Sequence, residues 1–149
     1  MYFQYGSRET EYLKSRDKAL GEVIDRIGPV FRETDPDLFS SVVHHIVGQQ
    51  ISTKAQATIW ARMKEQLGEV TPATIAAAPA ARLQSAGISF RKVEYIRDFA
   101  AKVQSGALDL QEISRLPDDQ AIKALASLKG IGVWTAEMLM IFSLQRKDV

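Results

Sequence analysis

The feature that most constrains this chain is an apolar period of three to four residues, which recurs along almost its whole length. After Asp17 it falls on Leu20, Val23, Ile24 and Ile27 and closes at Gly28-Pro29. That is one face of a helix, with a capping residue before it and a breaker behind it. After Asp35-Pro36 the pattern resumes on Leu38, Phe39, Val42, Val43, Ile46 and Val47, until the polar Gln49-Gln50 interrupts it. Ser52 opens the next segment (Ala55, Ile59, Met63, Leu67), and Gly68 ends it. Thr71-Pro72 and Pro79 each start a short helix, because proline is tolerated in a first turn. The set Val93, Ile96, Phe99, Ala100 and Val103 spans 91–104, and a short turn of helix covers 110–116. Pro117-Asp118-Asp119 opens a segment with Ile122, Leu125 and Leu128 inward, and a last helix runs over 133–144. No stretch alternates with period two. The pattern predicts an all-α fold of many short helices.

A chain of 149 residues is long enough to bury a real core. It has no cysteine, which excludes disulfides and thiolate metal sites. No apolar run approaches the roughly 18 residues of a membrane span, and the N-terminus lacks a signal-peptide pattern. No membrane partner is therefore expected, and cytoplasm is the expected compartment. A net charge of +1 does not by itself mark a nucleic-acid binder, so any such partner must be held by local geometry. His44 and His45, the only histidines, point about 100° apart on a helix and cannot chelate one metal together.

The segment Leu128-Lys129-Gly130-Ile131-Gly132 joins the last two predicted helices. Its glycines permit positive φ or a close backbone approach. Together with the following helix start they aim N–H groups at one spot, which suits a phosphate. From Gln120 onward Lys123, Lys129, Arg146 and Lys147 outnumber Glu137 and Asp148, a local charge of +2. Spacing alone equally allows a tight turn that packs Trp134 into the core. Gln49-Gln50 has two readings as well, an amide pair capping helices or a functional tip.

Three stretches in order, "IVGQQIS", "LQSAGISFRKVEYIRDFA" and "LKGIGVWTAEMLMIFSLQRKDV", resemble the helix-hairpin-helix DNA glycosylase superfamily. The nearest branch is that of DNA-3-methyladenine glycosylase II. The resemblance runs from about Asp17 to Val149. It implies a multi-helix fold with N-terminal helices at 1–47, part of a discontinuous terminal domain, and a central domain at 48–149. It also implies base-excision repair by hydrolysis of the N-glycosidic bond of alkylated bases, 3-methyladenine type, in double-stranded DNA.

Carried over residue by residue, the resemblance assigns the amides at Gly130, Gly132 and Thr135 to the DNA backbone. Lys129 stands where the family usually has proline and adds a charge directed at phosphate. Carbonyls of Ala126, Leu128 and Ile131 are implied to hold a monovalent cation, Na or K; no other cofactor is expected. Trp134 occupies the position where the strand-cleaving branch carries a Schiff-base lysine, which implies a monofunctional, water-using enzyme. A base methylated on a ring nitrogen is cationic, and an indole face attracts it by about 0.5–2 kcal/mol. Phe39 and His44 are implied to line the base pocket with Trp134. Gln50, next to Gln49, is implied to enter the duplex and offset part of the cost of base flipping.

Glycosidic hydrolysis also needs a carboxylate to stabilise a cation-like sugar and orient water. The resemblance places that aspartate a few residues beyond Asp148-Val149. No catalytic residue is therefore expected in these 149, and the fold is expected to be incomplete at its C-terminus. On that reading the chain alone lacks excision activity, and the apolar faces at Leu20–Ile27 and Leu38–Val47 are left to drive self-association. The alternative is a non-catalytic helix-hairpin-helix DNA-binding protein. In an enzyme, Gln50 and Trp134 must share a cleft; in a pure binder they need not.

Overall fold

A computed structural model describes residues 1–149 and resolves them into two compact units, Met1–Thr34 and Asp35–Val149. Ten helices and one isolated bridge make up the regular structure. No helix is long and apolar enough to cross a membrane.

In the first unit α1 (Ser7–Arg16) and α2 (Lys18–Ile27) are separated only by Asp17, which ends one helix and caps the other by accepting from the Leu20 amide at 3.0 Å. Helix α1 was not foreseen, and it buries no residue. Its signals are local: Glu9 reaches back to the Gly6 amide at 2.9 Å, and Lys14 pairs with Glu11 and with Asp25 of α2. The ends of the unit meet where Tyr2 bridges Glu33 and the Tyr5 hydroxyl bonds both backbone groups of Val30.

The second unit contains α3 (Leu38–Gly48), α4 (Thr53–Leu67), α5 (Pro72–Ala77), α6 (Ala80–Ser85), α7 (Phe90–Gln104), α8 (Leu110–Arg115), α9 (Asp118–Ala126) and α10 (Val133–Phe142). The predicted starts at Ser52 and Thr71 hold, each accepting from an amide three residues on, and Ser89, which was not foreseen, caps α7 in the same way. For α3 the cap is Asp37, which takes the amides of Phe39 and Ser40. Asp35 instead donates its amide to the Phe142 carbonyl at 3.0 Å, while its own carbonyl accepts from the Ser143 hydroxyl.

The division between units falls at Thr34–Asp35, and α3 packs against α4, α7 and α10. One expectation is corrected by that packing: the α3 face does not lie open. Leu38, Phe39, Val42, Val43, Ile46 and Val47 are all buried, each stabilising the fold by about 1.5–3 kcal/mol. Only on α2 are the apolar residues Leu20, Val23 and Ile27 exposed. The core continues through Met63, Ile75, Leu83, Ile96, Phe99, Leu125, Leu139 and Met140.

Candidate nucleic-acid interface

The turn between α9 and α10 is built around one glycine. The Ile131 amide donates to the Leu128 carbonyl at 3.0 Å, and Gly130, third in that turn, has φ +82, as a type II turn requires. A Cβ at Gly130 would collide with the ring of Tyr95. Leu128 and Ile131 are buried and anchor the turn on both sides. Gly132 differs from Gly130: its φ is −91, and a Cβ there would meet nothing. No internal contact demands glycine at that position, and the space outside it is open.

Gly132 begins α10 without a side-chain cap, and the first intrahelical bond runs from Ala136 to the Gly132 carbonyl at 2.9 Å. The amides of Val133, Trp134 and Thr135 therefore have no partner within the helix. They point out of its positive end, beside an open backbone. Trp134, in that first turn, is 69% exposed. A large indole left in solvent beside unpaired amides excludes the alternative in which the turn exists to bury it.

The Gln49-Gln50 tip lies next to this hairpin. Gln49 donates from Nε2 to the Gly130 carbonyl at 2.5 Å. Gln50 is exposed and left-handed, with φ +56, a conformation uncommon for a residue with a Cβ. Gly48 makes room for the Gln56 amide, which donates to the His44 carbonyl at 2.9 Å.

The other predicted positions divide. His44 is half-buried, its ring edge-on to Trp60 at 4.8 Å and 3.5 Å from the Gln56 amide. Burial pushes its pKa down, with the neighbouring His45 adding to the effect. Phe39 is 4% exposed and stacked on Phe99 at 4.9 Å, which places most of its ring in the core. Lys129 is 61% exposed, and its charge already has a partner, Asp98, at 2.9 Å. Lys102 takes the other oxygen of the same carboxylate, and these two lysines hold the Asp98 pKa below its usual value. Arg146 is structural: it donates to the Ser114 and Leu116 carbonyls and pairs with Asp118.

For a cation, carbonyl oxygens are the right kind of donor for Na or K. Ala126 is the last residue of α9 and Leu128 follows its C-cap, at the end where the helix dipole favours positive charge. The Leu128 carbonyl accepts the Ile131 amide and keeps a second lone pair. The residues present thus fit such an ion.

Sequence reasoning missed Lys92, Tyr95 and Asp98, all on α7. Lys92, the third residue of α7, turns inward to the carbonyls of Val47 at 2.8 Å and Gln49 at 2.7 Å. Nothing in its spacing reveals this, because its partners lie more than forty residues away.

An uncapped helix start behind a glycine turn, an exposed indole and a left-handed glutamine tip come together on a helix-hairpin-helix motif. Residues 43–147, more than half of the chain, match the HhH-GPD superfamily of base excision DNA repair proteins, and the chain belongs to that superfamily. It is 34% identical over 115 residues to DNA-3-methyladenine glycosylase 1 of Schizosaccharomyces pombe, covering 74% of this chain and 50% of that protein. It is 31% identical to DNA-3-methyladenine glycosylase 2 of Escherichia coli, covering 76% of this chain and 43% of that one. The chain thus spans half or less of the length of these two relatives. Among solved structures, a DNA-3-methyladenine glycosidase from Bacillus halodurans matches with TM-score 0.85 and 39% identity, over 100% of this chain and 70% of that one. The S. pombe 3-methyladenine DNA glycosylase in complex with abasic DNA matches with TM-score 0.82 and 29% identity, over 96% and 73%.

Proposed function

We propose that this chain is the DNA-handling part of a monofunctional glycosylase that removes cationic alkylated bases, 3-methyladenine in type, from double-stranded DNA. One observation carries the reading: an exposed indole, Trp134, stands in the uncapped first turn of α10 while Gln49 ties the Gln50 tip to the same hairpin. The amides of Gly130, Gly132 and Thr135 hold a phosphate of the damaged strand, beside Lys129, whose charge is paired with Asp98. Ala126, Leu128 and Ile131 hold a monovalent cation that screens that phosphate. Gln50 enters the stack as the base leaves it. Trp134 then receives the extruded base, whose positive charge favours the indole face and weakens the glycosidic bond. Neutral His44 beside that pocket adds no repulsion.

In the reaction the bond from sugar C1′ to the base nitrogen breaks, and the base departs neutral with the electron pair. Water adds to C1′ and gives up a proton. A carboxylate must stabilise the cation-like sugar. Asp98 is held by Lys102 and Lys129, and Asp118 by Arg146, so neither serves. That pairing favours one alternative, a domain that recognises distorted DNA without catalysis.

The test compares release of 3-methyladenine from alkylated duplex with binding to a duplex that carries an abasic analogue. Lesion-selective binding without release is the expected result, and release by this chain would show that it carries a catalytic group of its own. Selectivity for a cationic base over its neutral isostere supports the glycosylase reading against the non-catalytic one. Equal affinity for intact and abasic duplexes defeats both.

A further inference from the structure

Helix α7 presents three side chains, at spacing i, i+3 and i+6, to the loops assigned to DNA. Lys92 bonds the carbonyls of Val47 and Gln49, Tyr95 lies against Gly130, and Asp98 pairs with Lys129. Gln49 closes the circuit by donating to the Gly130 carbonyl. The glutamine tip and the hairpin are therefore fastened to one helix, and to each other, through side chains.

The way α3 ends shows what Lys92 contributes. Gln49 is the C-cap, so Gln50 takes the following position, where helices commonly place a left-handed glycine. A glutamine there keeps an unfavourable φ only if its surroundings impose it. The backbone closes this end weakly, with Gln49 to Ile46 at 3.4 Å and Ile51 to Gly48 at 3.5 Å. The shorter bonds come from Lys92, whose ammonium sits where the α3 dipole is negative. An inserted side chain must resist the stack it displaces, so a loop this weakly closed needs an external brace.

We propose that Lys92 is the positioning residue that holds Gln50 in its inserting conformation and, through Gln49, keeps it in register with the phosphate-binding hairpin. The proposal rests on the wedge role given to Gln50 above. Lys92 touches neither the base nor the sugar. It acts through the Val47 and Gln49 carbonyls.

The test uses the whole chain with Lys92→Met and, separately, Gln49→Met, both of which keep length and remove the donor. The probe is a duplex with 2-aminopurine beside a tetrahydrofuran abasic analogue. Wild type should brighten the probe severalfold and prefer this duplex to an intact one. Each variant should lose at least threefold of the fluorescence rise and about tenfold of the preference. Affinity for intact duplex should stay within twofold. A wild-type response preserved in Lys92→Met overturns the brace alone. Parallel loss of intact-duplex affinity also overturns it, because that marks general disruption. If Lys92→Met does not fold, Gln49→Met decides by the same criteria. Wild type with no preference overturns the wedge assignment and the brace with it.

Discussion

The ring of Tyr95 occupies the space that a Cβ on Gly130 would need. This contact, together with φ +82, makes Gly130 a structural glycine, whereas Gly132 has an ordinary φ and open space around it. The two should therefore separate stability from binding. Gly130→Ala adds a left-handed residue, about 1–2 kcal/mol, and displaces a ring, about 1–3 kcal/mol. Urea unfolding should show a loss of about 2–5 kcal/mol. Gly132→Ala should cost under about 1 kcal/mol, mainly as a poorer helix start, yet weaken duplex binding at least tenfold. A Gly132→Ala protein with wild-type affinity would show that no DNA backbone approaches there.

Trp134 predicts the opposite of a core tryptophan. Because most of its surface is exposed, Trp134→Ala should change stability by no more than about 0.5 kcal/mol. Core truncations of this size cost about 3–5 kcal/mol. The loss should appear in recognition: cation–π contact of about 0.5–2 kcal/mol corresponds to roughly 2- to 30-fold in affinity for a duplex with a cationic base. Affinity for one with a neutral isostere should change less. Equal losses on both would reduce Trp134 to a generic stacking surface.

His44 carries a pH signature. Burial, and then His45, lower its pKa from the ordinary 6.5, so the folded protein binds its proton less readily than the unfolded chain. The sign follows from linkage: as pH falls below 6.5 the unfolded state takes up the proton first, and stability drops with it. Its contribution is present above 6.5 and is lost as pH falls through the folded value. Urea midpoints between pH 8 and pH 5 should decline for wild type and decline less for His44→Gln. Identical slopes in the two proteins would contradict the shift.

Much of this architecture was legible because α2 to α10 carry an apolar period together with start or stop residues of their own, such as Asp17, Ser52 with Gly68, and Thr71-Pro72. Helix α1 escaped because it buries nothing, so its determinants are short-range polar contacts. The hairpin turn stood out by glycine spacing, whereas Trp134 and the glutamine pair were singled out only by the family resemblance, because spacing left two readings of each. Phe39 shows a limit of a different kind. Period reports that a residue faces inward, but only packing against Phe99 decides whether inward means core or cleft. The same limit hid Lys92 and Asp98, since a long charged side chain reads as solvated until its distant partner is known.

Asp98 supplies the last prediction. Its carboxylate is shared by Lys102 and Lys129, and with both so close it remains charged throughout the neutral range. Its stabilising effect persists above the ordinary value of 3.8 and is lost only as pH falls through the still lower folded value. At working pH it therefore places a fixed negative charge next to the hairpin and holds back the lysine nearest the phosphate path. Asp98→Asn keeps the shape and removes the charge, so Lys129 can turn to DNA. Duplex affinity at low salt should rise severalfold. The slope of log K against log salt should steepen by about 0.9, the contribution of one added phosphate contact. Lys129→Met in the Asp98→Asn background should abolish both gains. If Asp98→Asn leaves the salt slope unchanged, Lys129 does not reach phosphate, and the backbone amides alone hold the strand.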